Sequence, residues 1–167
     1  SYVNEQPEAF AADNERLEFL GDAVLGLLVG EALFHRYPGA HEGALTSMRA
    51  AIVRTDSLAR AAHCIHLGDH LFLGRGEEAS GGRTRVAILA AAFEAVIGAT
   101  YLDHGLAETR RLVLDLLGDA IQALDASVTR APKSLLQERI QARMHYTPVY
   151  RTAAERGPDH AKEFVVE

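Results

Sequence analysis

Apolar residues recur at spacings of three and four along most of the chain, which is the pattern of amphipathic α-helices. The first periodic stretch follows Asp13 or Asn14, either of which can cap a helix, and stops before Pro38, so a helix to about Tyr37 is predicted. The residues expected on its buried side are Leu17, Leu20, Val24, Leu27 and Leu28. We expect the rest of the chain to pack around this long helix.

Four further helices are predicted in the same part of the chain. Two short ones, over 42–53 and 55–66, are followed after a glycine-rich stretch by a strongly apolar helix over 86–103. Gly105 ends that helix, and a last one with an apolar stripe is predicted over 106–124. These patterns predict a mainly α-helical protein.

The C-terminal part of the chain has a different pattern. Residues 126–132 have the composition of a linker, 133–144 form a short amphipathic helix, and two alternating runs after it predict a β-hairpin. We therefore expect a helical domain over 1–125, then the linker, then a partial α+β domain over 133–167. So small a segment buries little core and is expected to be marginally stable alone.

Length and composition are typical of a soluble globular protein. The 167 residues suffice for one domain and a small second one. Hydrophobic residues make up 48% of the chain, and we expect no run long enough to span a bilayer and no signal peptide. The single cysteine, Cys64, excludes an internal disulfide and is expected to be a small buried side chain. These features predict a cytoplasmic protein without a membrane partner.

The charge balance is unfavourable for a protein that binds nucleic acid. The chain has 23 acidic residues against 17 lysines and arginines, a formal net charge of −6. Phosphate contacts need clustered cations. Bound metal would neutralise several of the acids, so the balance weakens a nucleic-acid-binding hypothesis without excluding it.

An acidic stripe lies along the first helix. Glu15, Glu18 and Asp22 are three and four residues apart and fall within about 60° of one another around a helix axis. Like charges at these spacings destabilise a helix, and a hard divalent cation would offset their repulsion. A solvated acidic face is the alternative interpretation. Gly26 continues the line of the stripe, which predicts the close approach of another element there.

A further acid has an apolar setting. Glu94 is the single acid in the middle of the apolar helix over 86–103, where an ionised carboxylate is costly unless it is paired or bound to metal. It is therefore the natural partner of Glu18 and Asp22. Three histidines lack the partners that complete a zinc site and are expected to be surface or partly buried residues. They are His63, His66 and His70.

The segment NERLEFLGDAVLG, which contains the acidic stripe, resembles the signature motif of the ribonuclease III family, endonucleases that cut double-stranded RNA with magnesium. The resemblance continues through HEGALTSMRAAIV, LGRGEEASGGR and ILAAAFEAVIGATYLDHG, and so covers nearly the whole chain. It implies an all-helical endonuclease domain that acts as a homodimer, in which each subunit cuts one strand to leave a 5′-phosphate and a short 3′ overhang. Phe19 would be the apolar knob that packs into the partner subunit.

The resemblance also assigns roles to the acids. It implies that Glu18, Asp22 and Glu94 hold Mg²⁺ or Mn²⁺, with Asp22 and Glu94 as the catalytic residues. It places Glu15 and Glu42 in an outer set that shapes the site or contacts a second ion. From its position at a helix start alone, Glu42 is no more than a favourable partner for the helix dipole.

One position departs from the family pattern. The family has an aspartate three residues before the glutamate of the second metal helix, on the same helical face, where this chain has Ala91. No other acid lies within a turn of Glu94, and we expect the loss to lower the rate by on the order of 100-fold or more. Three interpretations are open: a deliberately inactivated variant, a natural member with weakened activity, and a member that binds RNA without cutting it.

The C-terminal part resembles the opening of a double-stranded RNA-binding domain. The matching segments are PKSLLQE in the helix, GPDH in the loop and KEFVV in the next strand, and they imply that Gln137 and His160 contact RNA. The family has a helix before Asn14, and a third strand and a final helix after the point where this chain ends at Glu167. We therefore expect both ends to be truncated.

The glycine-rich segment 74–85 carries three arginines but lacks the Gly-Lys-Ser/Thr ending of a nucleotide-binding loop. A mobile surface loop is the default expectation. The alternative is a loop whose arginines contact the RNA backbone.

Two main function classes follow. The retained acids favour a magnesium-dependent endoribonuclease that processes ribosomal or messenger RNA precursors. Ala91 favours a non-catalytic double-stranded-RNA-binding or scaffold protein on the same fold. A helical dimerisation domain with an accidental resemblance is a third interpretation.

Overall fold

The chain consists of two compact units, Ser1–Thr129 and Arg130–Glu167. The predicted domain limits at residues 125 and 133 lie outside the residues that the structure, a computed structural model, describes. The described residues are 13–124, 140, 141, 143, 152–156 and 163–166.

The described part of the first unit is mainly α-helical, which confirms the predicted fold class. Its α-helices are α1 (Glu15–Arg36), α2 (Glu42–Val53), α3 (Thr55–Cys64), α4 (Arg75–Ala79) and α5 (Val86–Gln122). Two 3₁₀ turns separate the later helices, and they are Leu67–His70 and Gly82–Thr84. Asn14 occupies the predicted cap position of α1, but the Glu15 amide donates to the Asp13 carboxylate at 3.2 Å instead.

The two long helices predicted on either side of Gly105 form one element with a sharp kink. Gly105 has φ 76° and ψ 179°, which is outside the helical region and is open to glycine alone. The hydroxyl of the buried Thr109 donates to the carbonyl oxygen of Gly105 at 2.8 Å. The predicted break is confirmed, and α5 turns a corner there.

The core of this unit lies where α1 and α3 pack against α5. The largest of its fully buried side chains are Phe93, Leu25, Leu28, Leu33, Met48, Leu58 and Ile97. Tyr37 fastens the end of α1 to the end of α5, because its hydroxyl lies 3.0 Å from the carbonyl oxygen of Ile121 and 2.6 Å from that of Leu124. Tyr37 therefore holds the end of α1 against the second half of α5.

Two predictions of burial and one of a close helix approach are wrong. Leu27 is 57% exposed, because the buried side of α1 is centred nearer Gly21, about 120° away around the helix. Within the described part of the chain, Gly26 has no neighbour within 4 Å of the place where a Cβ would stand, so no described element approaches it closely. Cys64 lies at the exposed end of α3.

Helix α5 is long and apolar enough, by length and composition alone, to cross a membrane. The expectation that no run of the chain reaches that length is therefore wrong. Its apolar side chains nevertheless have protein partners, since Leu89, Phe93 and Ile97 are buried in the core. Core packing accounts for part of the apolar composition of this helix, since 39% of its most apolar 18-residue window is buried.

The glycine-rich segment before α5 is built into the fold rather than extended from it. The Arg83 guanidinium donates to the Glu78 carboxylate at 2.6 Å and to the carbonyl oxygens of Gly68 and Leu71 at 3.0 and 2.9 Å. Arg85 forms an ion pair with Glu77. The donors of Arg83 are thus used within the protein, which counts against the alternative in which this arginine contacts RNA.

The second unit contains an antiparallel pair of strands in its described part, as predicted. Strand β1 (Thr152–Arg156) pairs with β2 (Glu163–Val166), with Arg156 opposite Glu163 and an irregularity near Thr152. Residues 140, 141 and 143 are helical, within the predicted helix. The predicted RNA contacts Gln137 and His160 lie outside the described residues.

Candidate active site

Helices α1 and α5 touch backbone to backbone at one pair of glycines, Gly21 and Gly98. A Cβ built on Gly21 would overlap the carbonyl group of Glu94 and come within 3.0 Å of the Gly98 nitrogen. A Cβ built on Gly98 would overlap the carbonyl oxygen of Leu17 and lie 3.1 Å from the Gly21 nitrogen. Because real Cβ atoms do not make such contacts, these positions accept only glycine at this helix spacing.

This crossing brings the predicted acids together. Glu18 and Asp22 lie on either side of Gly21 on α1, and Glu94 lies one turn before Gly98 on α5. An open pocket of about 480 Å³ forms between the two helices. Its lining residues are Glu15, Glu18, Phe19, Asp22 and Glu94.

The acidic side chains of the pocket lie close enough to repel one another. Burial, and then the neighbouring carboxylates of Asp22 and Glu18, together raise the pKa of the Glu94 carboxyl to about 7. Among the described residues, no lysine or arginine forms an ion pair with any of these three acids. Their mutual repulsion therefore has no protein partner to offset it within the described part of the chain.

The donor set suits a hard divalent cation. Carboxylate oxygens are the ligands that Mg²⁺ prefers, and it binds through one or two carboxylates and several waters. As the side chains stand, no three Asp, Glu, His or Cys groups of the described ranges already surround a metal position. The carboxylates would have to turn towards one another to ligate an ion, which their repulsion opposes when no cation is present.

The remaining predicted residues have different positions. Ala91 is partly buried on α5, one turn before Glu94, and is not part of the pocket lining. Glu42 is exposed at the start of α2, where its carboxylate accepts a hydrogen bond from the Thr46 hydroxyl at 3.0 Å, and it does not line the pocket either. Phe19 stands at the pocket edge with 81% of its surface exposed.

Sequence reasoning missed the glycine pair that forms the crossing. Gly21 lies inside the signature segment and Gly98 inside the apolar helix. Their spacing from the acids could have indicated them, because Gly21 immediately precedes Asp22 and Gly98 follows Glu94 by four residues. The three histidines expected to be surface or partly buried are exposed, and they are His63, His66 and His70. They form no metal-binding group within the described residues.

Comparison with known families agrees with this fold. Residues 1–121 match the family model described as Ribonuclease-III-like, which is more than half of the chain. The chain belongs to the ribonuclease III family. Residues 132–167 match the model of the double-stranded RNA binding motif, so this family member carries an RNA-binding segment after its nuclease-like domain.

Curated relatives resemble the chain over nearly its full length. Ribonuclease 3 of Dehalococcoides mccartyi is 46% identical over 170 residues, which cover 100% of this chain and 71% of the relative. Ribonuclease 3 of Heliobacterium modesticaldum is 50% identical over 165 residues, covering 99% of this chain and 70% of the relative.

Solved structures share the fold. The nuclease domain of ribonuclease III from Campylobacter jejuni is 45% identical with a TM-score of 0.63, covering 64% of this chain and 75% of that domain. Dicer from Pichia stipitis is 26% identical with a TM-score of 0.58, covering 92% of this chain and 72% of that protein.

Proposed function

We propose that this ribonuclease III family member is an endoribonuclease for double-stranded RNA that uses Mg²⁺ or Mn²⁺, and that Ala91 lowers its rate. The observation that carries the proposal is the pocket in which Glu18 and Asp22 of α1 meet Glu94 of α5 with no arginine or lysine paired to them among the described residues. A purely structural helix crossing gains nothing from three carboxylates that repel one another.

The carboxylates of the pocket would supply oxygen ligands to a cation and would repel RNA phosphate when no cation is bound. When bound, a divalent cation supplies an activated water and neutralises charge on the scissile phosphate. Glu18, Asp22 and Glu94 would hold it, with Glu15 at the margin of the same pocket. Until these carboxylates are neutralised they repel an RNA phosphate, so loading of the cation and approach of the substrate are coupled.

Ala91 removes one oxygen donor from the set that the family pattern implies. The residue lies one turn before Glu94 on the same helix, and its methyl group can neither ligate a cation nor hold a water. Glu42 remains a proposed outer acid, although its carboxylate accepts a hydrogen bond from Thr46 and lies outside the pocket. We expect reduced turnover with retained binding of RNA.

The partners proposed are duplex RNA and a second copy of the chain. The match to the double-stranded RNA binding motif supports RNA as the ligand of the C-terminal unit, with Gln137 and His160 as proposed contacts. A homodimer is supported by the exposed Phe19 and by the related nuclease domain from Campylobacter jejuni, which has a region involved in dimer formation. Processing of cellular RNA in the cytoplasm remains a prediction.

Restoring the missing carboxylate tests this function. Ala91→Asp should raise the Mg²⁺-dependent cleavage of a labelled RNA duplex by on the order of 100-fold, because it returns an oxygen donor to the cation site. Ala107→Asp is the matched control, since it adds the same side chain at an exposed position of α5 beyond the kink. The rate of the control should stay at that of the original chain.

The alternative is a protein that binds duplex RNA and does not cut it, which Ala91 favours. In that case Ala91→Asp and the original chain bind the duplex equally and neither cleaves it, although both are folded. Gel-shift affinity measured beside cleavage separates the two functions, because only the nuclease hypothesis couples the added carboxylate to turnover.

A further inference from the structure

The helix crossing beneath the pocket is unusually sensitive to side-chain size. Both faces of the contact are backbone: a Cβ on Gly98 would lie 3.1 Å from the Gly21 nitrogen and overlap the carbonyl oxygen of Leu17. Backbone atoms inside a helix cannot swing aside as the end of a flexible side chain can. A single methyl group at this point must therefore push α1 and α5 apart, by on the order of 1 Å.

The crossing and the carboxylate pocket share the same two helix turns. Glu18 and Asp22 lie on the turns around Gly21, and Glu94 lies on the turn before Gly98. Because an α-helix is stiff over one turn, a wider crossing separates the carboxylates of α1 from that of α5 by a similar amount. The backbone contact therefore sets the width of the pocket.

We propose that Gly98, with Gly21, is a positioning residue that sets the pocket width and thereby favours small divalent cations over large ones. This inference rests on the proposed metal site. Mg²⁺ requires oxygens at about 2.0–2.1 Å in near-octahedral geometry, whereas Ca²⁺ accepts about 2.3–2.6 Å and irregular geometry. A pocket held narrow by a glycine-to-glycine crossing suits the smaller ion, and a widened one loses that preference.

Cation binding to the chain in the absence of RNA tests the proposal. Mn²⁺ affinity is measured by electron paramagnetic resonance, and Mg²⁺ and Ca²⁺ affinities by displacement of Mn²⁺. Gly98→Ala should weaken Mg²⁺ binding by about tenfold or more and weaken Ca²⁺ binding less. The ratio of the two affinities therefore moves towards Ca²⁺, which a general loss of stability does not produce.

Two control variants separate positioning from stability. Gly118→Ala makes the same substitution on α5 where a Cβ meets no atom of the described residues within 4 Å, and it should leave both affinities unchanged. Val113→Ala removes a fully buried side chain beyond the kink, so it should lower the unfolding temperature and leave the affinity ratio unchanged.

A further variant tests whether the distance between the carboxylates sets the ratio of the Mg²⁺ and Ca²⁺ affinities, without altering the crossing. Glu94→Asp withdraws the carboxylate by one C–C bond, about 1.5 Å, and should shift the ratio towards Ca²⁺ as Gly98→Ala does. This variant keeps the proposal testable if Gly98→Ala does not fold. An unchanged ratio in folded Gly98→Ala or in Glu94→Asp, or an equal shift in Val113→Ala and Gly98→Ala, would overturn it. A chain that binds no divalent cation would instead refute the proposed function.

Discussion

At the scale of single residues, Glu94 shows how position gives a common side chain an uncommon property. Burial, and then the charges of Asp22 and Glu18, raise its pKa to about 7 from the ordinary value of 4.5. The folded protein therefore holds the Glu94 proton more tightly than the unfolded chain does. Such a group is a poor structural element at neutral pH, and its perturbed pKa in an open pocket is typical of a functional site.

The stability of the cation-free protein should depend on this proton. With a chelator present, the free energy of unfolding should fall as pH rises from about 4.5 to about 7, because the folded state binds the proton that the unfolded state has lost. We expect a contribution of about 1–2 kcal/mol after allowance for solvent screening of this partly exposed group. Urea unfolding at pH 5 and pH 8 measures it.

Glu94→Gln is the control for that measurement. It keeps the size of the side chain and removes the titration, so the difference between the two proteins isolates Glu94 from every other ionisable group. If both proteins lose the same stability between the two pH values, Glu94 does not titrate in this range.

At the scale of elements, the two halves of α5 on either side of Gly105 have different roles. Its first half supplies Glu94 and the crossing at Gly98, and its second half is fastened to α1 through Tyr37 and through the ion pair of Arg110 with Glu31. The kink at Gly105 lets both halves of α5 pack against α1. A straight helix of that length would contact α1 with one half and extend beyond it with the other. The corner is thus part of what fixes the site.

Alanine substitutions at two glycines of α5 should have opposite effects on stability. Gly105→Ala should lower the free energy of unfolding by about 1–3 kcal/mol, since φ 76° with ψ 179° is strained for any residue with a Cβ. Gly118→Ala should raise it by about 0.5–1 kcal/mol, since Gly118 is helical and no atom of the described ranges lies within 4 Å of its Cβ position. Thermal or urea unfolding of the three proteins measures both, and equal signs would contradict the conformational explanation.

At the scale of the whole molecule, the exposed side of α1 is the proposed contact with a second copy. Phe19, at the edge of the acidic pocket, is 81% exposed, and Leu27 and Phe34 on the same helix are 57% and 65% exposed. Exposed aromatic and leucine side chains along one helix are typical of protein–protein contacts. A dimer formed there would place two acidic pockets beside the shared interface.

Phe19→Ala should weaken self-association of the chain. Burial of a phenylalanine side chain contributes about 1.5–3 kcal/mol, so the dissociation constant should rise by about tenfold or more. Phe72→Ala, which truncates an aromatic side chain that is 66% exposed outside α1, is the matched control. Sedimentation equilibrium measures both constants, and equal values for the two variants would place the interface elsewhere.

The sequence by itself determined the helices and the identity of the acids. The limits of α1 and α2, the break at Gly105 and the antiparallel pair of strands were predicted from periodicity and glycine, because these are properties of neighbouring residues. Glu94 was recognisable as a partner for the acidic stripe because an isolated carboxylate in an apolar helix is costly wherever the helix lies.

The tertiary structure alone decided which positions make contact. It selected Gly21 and Gly98 for the close approach and left Gly26 and Leu27 outside the packed side of α1. It also left Glu42 outside the pocket. The physical reason is that a helical pattern states which residues share a side, whereas the direction from which another backbone arrives is set by the packing of distant parts of the chain.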